Sequence, residues 1–325
     1  MQSHPNLWGK PLKRLRQFFY ICGHPIEHFR CAATIKSSCL ADGHFTQLKY
    51  LGDHLALSLR ARERREALRT HYELLPNLLK PGVNKALCRG LPVWERQIDD
   101  QPPLAIFLEP SRLAPMEGEL QLRFSFKSDL SVLTFSLTPG RVFGFPEQWV
   151  LFVGGLQGKV DGRNETRQAA KMNAEISPAT MLVIGVQAIA RALGLSAIVA
   201  IGHDDQISMS YSPSKVVFDY ARFWLEAGGK LIGRHYALPV EPVFRPLSET
   251  PRTHRPRTRR KREAKLEIGE AMERQVRRWF SAPMTRGGLL LRPANPWVRG
   301  LGPAAAAVGG SSQLDHEVVR VPTDD

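Results

Sequence analysis

The sequence predicts an α/β (α+β) protein in which a mixed β-sheet carries flanking helices. A helical N-terminal region precedes the sheet, and a disordered basic tail follows it. Three observations lead to this class. Apolar and polar residues alternate through Leu120–Phe126, and Trp149–Gly154 is apolar throughout, as in strands with one or two buried faces. Pro178–Leu193 has the pattern of an apolar helix, directly before the β-branched run Ala197–Ile201. Residues 281–325 combine prolines, Gly-Gly pairs and an alanine run, a composition that cannot bury a core.

Residues 1–100 are expected to form a helical N-terminal region. Short helices are predicted within residues 1–50, and Leu51–Leu75 is predicted as one long amphipathic helix because apolar residues recur along it at helical spacing. A cluster of charges lies within that helix, and two interpretations of its arginines stay open: a solvated face with local glutamate pairs, or an anion-binding surface. These arginines are Arg60, Arg62, Arg64 and Arg65.

Residues 101–245 are expected to hold the α/β core, because strand and helix signals follow one another through them. The predicted strands are Leu104–Leu108, Leu120–Phe126, Ser131–Leu137, Trp149–Gly154, Ala197–Ile201 and His235–Val240. The predicted helices are Asn164–Met172, Pro178–Leu193 and Ser214–Glu226. Ser128-Asp129 is predicted to lie in a hairpin turn between the second and third of these strands.

The net charge of +14 is concentrated near the C-terminus. Residues 246–280 are expected to form a basic helical extension, and residues 281–325 a disordered tail. Arg252–Arg278 holds 11 basic and 4 acidic residues, an excess of 7. Such a protein is attracted to polyanions, so anionic lipid or lipopolysaccharide is the expected partner. Nucleic acid is not expected, since few aromatic residues stand beside the basic run Arg257–Arg262.

The four cysteines do not read as a disulfide framework, and a reducing cytoplasm is the expected location. We expect no export signal, because the apolar run Phe18–Cys22 is too short. Cys22, His24, His28 and Cys31 are residue types that bind zinc, but their spacing is not that of a zinc finger, and no metal site is predicted. Met181–Ile201 is predicted as a buried helix and strand, with no transmembrane segment, because Arg191 would lie in the middle of a membrane span.

The run Gly154-Gly-Leu-Gln-Gly158 is the most informative motif, since it ends a buried apolar strand ahead of helices. Glycines there allow either a close approach of a phosphate to the backbone or a bulge and tight turn with a purely structural role. On the first interpretation, a cofactor-binding set is predicted. It consists of Gly154, Gly155, Gln157, Gly158 and Arg167.

His203 and Asp204 follow the last strand of the predicted core, where polar side chains can point into a cleft. They are the catalytic candidates on an enzymatic interpretation, with a general base among them. Polar residues are also common at strand ends without any catalytic role.

Leu55–Leu75, the segment Gly154–Gly158 and the helix Pro178–Leu193 before its strand together resemble the VirK/YbjX family of bacterial proteins. The resemblance covers about residues 15–265. It implies a Gram-negative cytoplasmic protein, with a peripheral location at the inner membrane as one option. It also implies a link to envelope stress, antimicrobial-peptide resistance and virulence. No reaction comes with the resemblance, so binding of an anionic envelope component is the leading functional expectation.

The order of elements is also similar to the GNAT acyltransferase fold, in which a Gln/Arg-x-x-Gly-x-Gly/Ala loop holds the pyrophosphate of acyl-coenzyme A. The glycines of Gly154–Gly158 are spaced differently. The alternative function is therefore an acyltransferase that uses acyl-coenzyme A to modify an envelope precursor, and fold likeness alone does not establish it.

Overall fold

The structure is a computed structural model, and it describes residues 11–38, 40, 43–211 and 218–281. One mixed sheet organises these residues, with the strand order β1-β2-β3-β4-β5-β6-β8-β7. The strands are β1 Leu91–Ile98, β2 Gln101–Pro110, β3 Leu120–Phe126, β4 Ser128–Pro139, β5 Trp149–Gly158, β6 Ile198–Ala200, β7 Lys230–Ile232 and β8 His235–Leu238. The predicted α+β class and its four central strands are confirmed. Among the described strand pairs, β5 and β6 alone run parallel.

Helices pack on this sheet. The described helices are α1 Pro11–Gly23, α2 Pro25–Lys36, α3 Gly43–Leu48, α4 Ala61–Leu78, α5 Val83–Leu87, α6 Arg163–Met172, α7 Pro178–Leu193, α8 Ser208–Tyr211, α9 Tyr220–Glu226 and α10 Arg255–Arg277. Helix α4 packs on β4, and α7 packs on β3 and β4. The three largest fully buried side chains are Trp224, Tyr50 and Tyr220.

Helix α7 has the boundaries that its sequence predicts. Ser177 Oγ accepts a hydrogen bond from the Thr180 amide at 3.2 Å, Pro178 occupies the first turn, and Gly194 ends the helix at a φ of 69°. The helix is buried against the sheet and α10. In the ranges given above, no helix combines the length and apolarity needed to cross a bilayer.

Helix α10 packs along α7 through a stripe of buried side chains. Ile268, Met272 and Val276 form this stripe, and all three are at most 2% exposed. Arg191 of α7 is paired with Glu273 of α10, with Nε and Oε2 2.6 Å apart. The basic extension is therefore packed on the core through an apolar face and an ion pair.

The long helix predicted at Leu51–Leu75 begins ten residues later than expected, at Ala61. Lys49–Leu51 forms a short 3₁₀ turn, and residues 52–60 are irregular. Glu63 Oε2 accepts a hydrogen bond from the Arg60 amide at 2.7 Å, which caps the helix at this later point. The leucines at 55 and 59 are buried by tertiary contacts of an irregular segment, so their helical spacing was misleading.

Two of the observed strands, β1 and β7, were not predicted from the sequence. β1 lies in the region expected to be helical, where it forms a hairpin with β2, and β7 is a three-residue edge strand. The predicted helix Ser214–Glu226 is described only from Tyr220, because residues 212–217 lie outside the described part. The expected disordered tail also lies outside it, apart from residue 281.

Candidate functional site

The parallel pair β5–β6 diverges halfway along β5, and this opening is the main feature of the candidate site. Leu151, Phe152 and Val153 pair with β6. β6 then ends at Ala200, whereas β5 continues to Gly158, paired on its other edge with β4. Ligands of α/β sheets bind in the crevice outside the carboxyl ends of the strands. The fold therefore provides an opening of that kind at residues 154–158.

Tyr220 of α9 occupies the unpaired edge of β5. Its hydroxyl donates to the Leu156 carbonyl at 3.0 Å and accepts from the Leu156 amide at 3.1 Å. Gln206 Nε2 donates to the same hydroxyl at 2.8 Å. Burial raises the pKa of Tyr220, so the phenol stays protonated. A single side chain thus replaces the missing strand and holds the two strands apart.

Positions 154 and 155 are glycines because Glu117 packs directly against both. The pairing of β4 with β5 shifts between Thr134 and Phe135, so Gly154 is the extra residue of a β-bulge. A Cβ on Gly154 would lie 1.9 Å from the Glu117 carbonyl oxygen, and one on Gly155 would lie 1.9 Å from Glu117 Oε2. Both glycines therefore allow the loop between β2 and β3 to lie directly on the strand.

Glu117 is the most perturbed carboxyl in the described residues. It is 4% exposed, and burial raises its pKa from 4.5 to about 7 despite hydrogen bonds that favour the charged form. Gln157 Nε2 lies 3.1 Å from each of its oxygens, and Ser208 Oγ donates to Oε1 at 3.0 Å. Because Gln157 is exposed and Ser208 half-buried, the carboxyl lies one hydrogen bond below the surface.

Three connecting segments meet around Glu117: the irregular residues 52–60 and 111–119, and residues 201–211, which include a 3₁₀ turn and the short helix α8. The Leu55 amide donates to the Met116 carbonyl at 2.8 Å. Leu55 has a φ of 65°, an uncommon conformation for a buried leucine, which these contacts impose. Connecting segments held rigidly by a scaffold are where binding and catalytic side chains concentrate.

A cleft of about 500 Å³ opens at the end of β5 and beside the N-terminus of α6. Its walls include Leu156, Phe218 and Ala179, and Asp161 is an exposed acid on its rim. Its basic residues are Lys159, Arg163 and Arg167. Lys159 Nζ is bound to Glu165 Oε2 at 2.8 Å, whereas the two arginines have no carboxylate within 4 Å in the described part of the chain. Free guanidinium groups beside a helix N-terminus favour an anionic ligand.

A second buried polar group, centred on Glu119, joins the N-terminal region to the sheet. Lys49 Nζ lies 3.0 Å from Glu119 Oε2, and the Tyr72 hydroxyl donates to that oxygen at 2.6 Å. His54 is fully buried, and burial lowers its pKa well below 6.5. This group is enclosed, with Lys49 and Glu119 each 4% exposed. It is suited to fixing the fold, since its charged groups are enclosed and none of them lines the cleft at the end of β5.

The structure separates the predicted cofactor-binding residues into two groups. Gly154 and Gly155 are buried beneath Glu117. Gln157, Gly158 and Arg167 line the cleft together. Of the two sequence interpretations of the glycines, the bulge accounts for the first pair, and the phosphate-binding interpretation remains a prediction for the rest.

His203 and Asp204 lie just beyond β6, in a 3₁₀ turn. The His203 ring is half-buried, with its centroid 6.3 Å from that of Tyr220, and Asp204 is exposed. Neither lines the cleft. The next residue, Asp205, is buried and accepts hydrogen bonds from the Ser58 amide and hydroxyl, both at 2.6 Å, so this turn is tied to residues 52–60.

The four candidate anion-binding arginines do not share one exposed surface. Arg60 and Arg62 are exposed. Arg64 donates to the Gly52 carbonyl and pairs with Asp53, with Nη1 and Oδ1 3.6 Å apart. Arg65 is buried, and its guanidinium lies 5.6 Å from the centre of the Tyr20 ring. Two of the four therefore hold the N-terminal region together.

The cysteine and histidine cluster of α1 and α2 is spread over different faces. Cys22 is exposed, and Cys31 is buried against α4, where burial raises its pKa to about 12. Within the described ranges, no group of three or more histidine, cysteine or acidic side chains is arranged to hold a metal ion.

Sequence reasoning missed Glu117 and Tyr220, although one signal was present. Thr134, Ser136 and Thr138 alternate with apolar residues along β4, and all three are buried. A strand with hydroxyls on one buried face needs polar partners opposite it. The acidic pair that brackets Gly118, directly before an apolar strand, supplies such a partner: the Glu119 amide donates to Ser136 Oγ at 2.9 Å.

Comparisons with known proteins agree with the family resemblance. A family model described as "Protein of unknown function (DUF535)" matches residues 27–276. The "Uncharacterized protein YbjX" of Escherichia coli (strain K12) is 24% identical over 238 residues, which cover 70% of this chain and 69% of that protein. No solved structure gives a significant match.

Proposed function

The chain belongs to the DUF535 family, the VirK/YbjX family that its sequence resembles, and we propose that it is an acyltransferase that takes an acyl-coenzyme A. The single observation that carries this proposal is Glu117, a buried carboxyl with a pKa of about 7 at the open end of β5. Glu117 does not itself line the cleft, but its hydrogen-bond partner Gln157 does. A carboxyl poised near neutral pH one hydrogen bond from a cleft has the properties of a general base.

In the proposed reaction, a hydroxyl or amine of the acceptor attacks the thioester carbonyl of the acyl donor. Glu117 takes the proton that the acceptor loses, directly or through the Ser208 hydroxyl that donates to it at 3.0 Å. The bond from the carbonyl carbon to sulfur breaks, and the leaving thiolate of coenzyme A takes up that proton. The products are the acylated acceptor and free coenzyme A, so atoms and charges balance.

The cleft supports the donor half of the proposal. Coenzyme A carries a pyrophosphate, and Arg163 and Arg167 supply charge beside the first turn of α6. In the GNAT fold, the loop that holds the pyrophosphate follows an apolar strand, as the cleft residues Gln157 and Gly158 follow the apolar part of β5. The family resemblance suggests an envelope precursor as the acceptor.

Calorimetric titration with acetyl-coenzyme A and a long-chain acyl-coenzyme A tests the proposal. The double variant Arg163→Ala/Arg167→Ala is expected to weaken binding about 100- to 10,000-fold, since each of the two lost charged hydrogen bonds is worth about 1.5–3 kcal/mol. Arg30→Ala, which removes an exposed arginine of α2, is the matched control and should bind as the native chain does. Gly155→Val is unsuitable, because its side chain would collide with Glu117.

Substitution of Glu117 and substitution of the cleft arginines are expected to have different effects. Glu117→Gln should keep the affinity for the acyl donor while abolishing release of free thiol when envelope precursors are supplied as acceptors. If a folded sample gives no binding heat with either donor, the acyltransferase proposal is wrong.

We propose, as a second candidate, binding to an anionic envelope surface from the cytoplasmic side. Five large apolar side chains of α1 and α2 are more than half exposed: Leu15, Phe18, Phe19, Ile26 and Phe29. Residues 11–36 contain five lysines and arginines and a single acid, Glu27. Exposed aromatic residues combined with excess positive charge are typical of helices that lie in a bilayer interface.

Co-sedimentation with vesicles distinguishes this second candidate. Vesicles with phosphatidylglycerol are expected to bind the chain, and pure phosphatidylcholine vesicles or high salt to release it. Phe18→Asp should reduce binding, whereas Leu231→Asp should not, although both native side chains are 60% exposed. Equal binding by the two variants, or no dependence on anionic lipid, would overturn this candidate.

A further inference from the structure

A second cavity, of about 220 Å³, lies between α7, α9, α10 and residues 242–244. Its apolar wall includes Val183, Ile184, Phe223 and Phe244. Helix α10 places Lys261 and Lys265 at the rim of this cavity. An apolar pocket with two amines at one side fits a ligand that has a flat or apolar body and an anionic end.

The two lysines have no negative partner in the described part of the chain. No carboxylate lies within 4 Å of either amine, and Glu226, which also lines the pocket, is bound to Arg222 with Nε and Oε1 2.9 Å apart. Lys265 is half-buried, and its pKa is lowered by burial and by the nearby charges of Lys261 and Arg262. Positive charges that crowd a partly buried pocket without compensation favour a bound anion there.

The pocket adjoins the cleft at the end of β5. Ala179 lines the cleft, and the next residue of α7, Thr180, lines the pocket. Phe218 of the cleft and Phe223 of the pocket are in contact, with ring centroids 5.1 Å apart. The cleft and the pocket therefore share walls along the first turn of α7 and at the Phe218–Phe223 pair.

We infer that this pocket binds the 3′-phosphate end of the same acyl-coenzyme A whose pyrophosphate lies in the cleft, an inference that rests on the proposed function. Lys261 and Lys265 contact the phosphate. Arg262, whose guanidinium lies 5.5 Å from the centre of the Phe244 ring, adds positive charge beside it. The basic helix α10 thus completes the binding site of the acyl donor, which explains why Lys261 and Lys265 line this pocket.

Titration of coenzyme A and 3′-dephospho-coenzyme A tests this assignment, because the two ligands differ only in that phosphate. The native chain is expected to bind the dephospho form about tenfold or more weakly, the effect of losing a charged hydrogen bond. Lys261→Ala/Lys265→Ala should bind both ligands equally, at the weaker affinity. Lys230→Ala, which removes an exposed lysine of β7, should keep the tenfold preference.

The outcomes separate the two proposals. If the native chain binds both ligands equally, or if the double lysine variant keeps the preference, the pocket assignment is overturned while the proposed function stands. If neither ligand binds to folded native protein, the proposed function fails, and this assignment fails with it. Unfolding midpoints of all variants, measured by circular dichroism, show whether a lost preference comes from lost structure.

Discussion

Glu117→Gln is expected to remove a pH dependence from the stability of this protein. In the folded chain, burial raises the pKa of Glu117 from 4.5 to about 7. The protonated carboxyl therefore fits the folded state better than the charged form does. The stabilising contribution is fully present below about pH 4.5, and it is lost as the pH rises through about 7.

The magnitude follows from the two pKa values. Between 4.5 and about 7, at about 1.4 kcal/mol for each pH unit, the native chain loses about 3 kcal/mol of unfolding free energy through this one group. A glutamine has nearly the same shape and cannot ionise. The variant should therefore gain up to about 3 kcal/mol relative to the native chain between about pH 4 and pH 8.

Urea unfolding of both proteins at several pH values measures this difference, with the midpoint read by circular dichroism. Taking the difference removes the contributions of histidines and other carboxyls, and any constant offset from altered hydrogen bonds with Gln157 and Ser208 is independent of pH. A difference that stays flat from about pH 4 to pH 8 would show that Glu117 ionises like an exposed carboxyl. The general-base argument would then lose its basis.

Four further predictions test the rest of the structure. At pH 7, Glu119→Gln should lower the unfolding free energy by about 3–5 kcal/mol, since it leaves the buried Lys49 ammonium without its carboxylate partner; an unchanged unfolding midpoint in urea would contradict this. Gly154→Ala should cost about 1–3 kcal/mol more than Gly155→Ala in the same assay, because its new Cβ meets a backbone oxygen and not the end of a side chain. Burial lowers the pKa of His71 from 6.5 to about 4. The neutral ring therefore stabilises the fold fully above about pH 6.5, and this stabilisation is lost as the pH falls to about 4. In the same urea assay, His71→Gln should reduce the loss of unfolding free energy over this pH range by about 3 kcal/mol. A chain ending after residue 283 should keep the native unfolding midpoint, whereas one ending before α10 should not, because α10 covers α7.

Local physical chemistry explains which elements the sequence predicted. Helix α7 is bounded by a serine cap, a proline and a left-handed glycine, all of which act within one turn of the helix ends. Strand β3 was predicted because one of its faces is more deeply buried than the other, so apolar residues recur at every second position of Leu120–Phe126. The same reasoning failed at residues 51–60, where an irregular segment buries its leucines through distant contacts.

The sequence determined the α+β class and the central strands, because both depend on interactions between near neighbours. Only the tertiary structure decided that Glu117 lies on Gly154 and Gly155, since its partners Gln157 and Ser208 are 40 and 91 residues away along the chain. Only the tertiary structure likewise decided that Arg64 and Arg65 make contacts within the N-terminal region. Contacts between residues so far apart leave no periodic pattern in a single sequence, because loop closure and packing, not local propensity, bring them together.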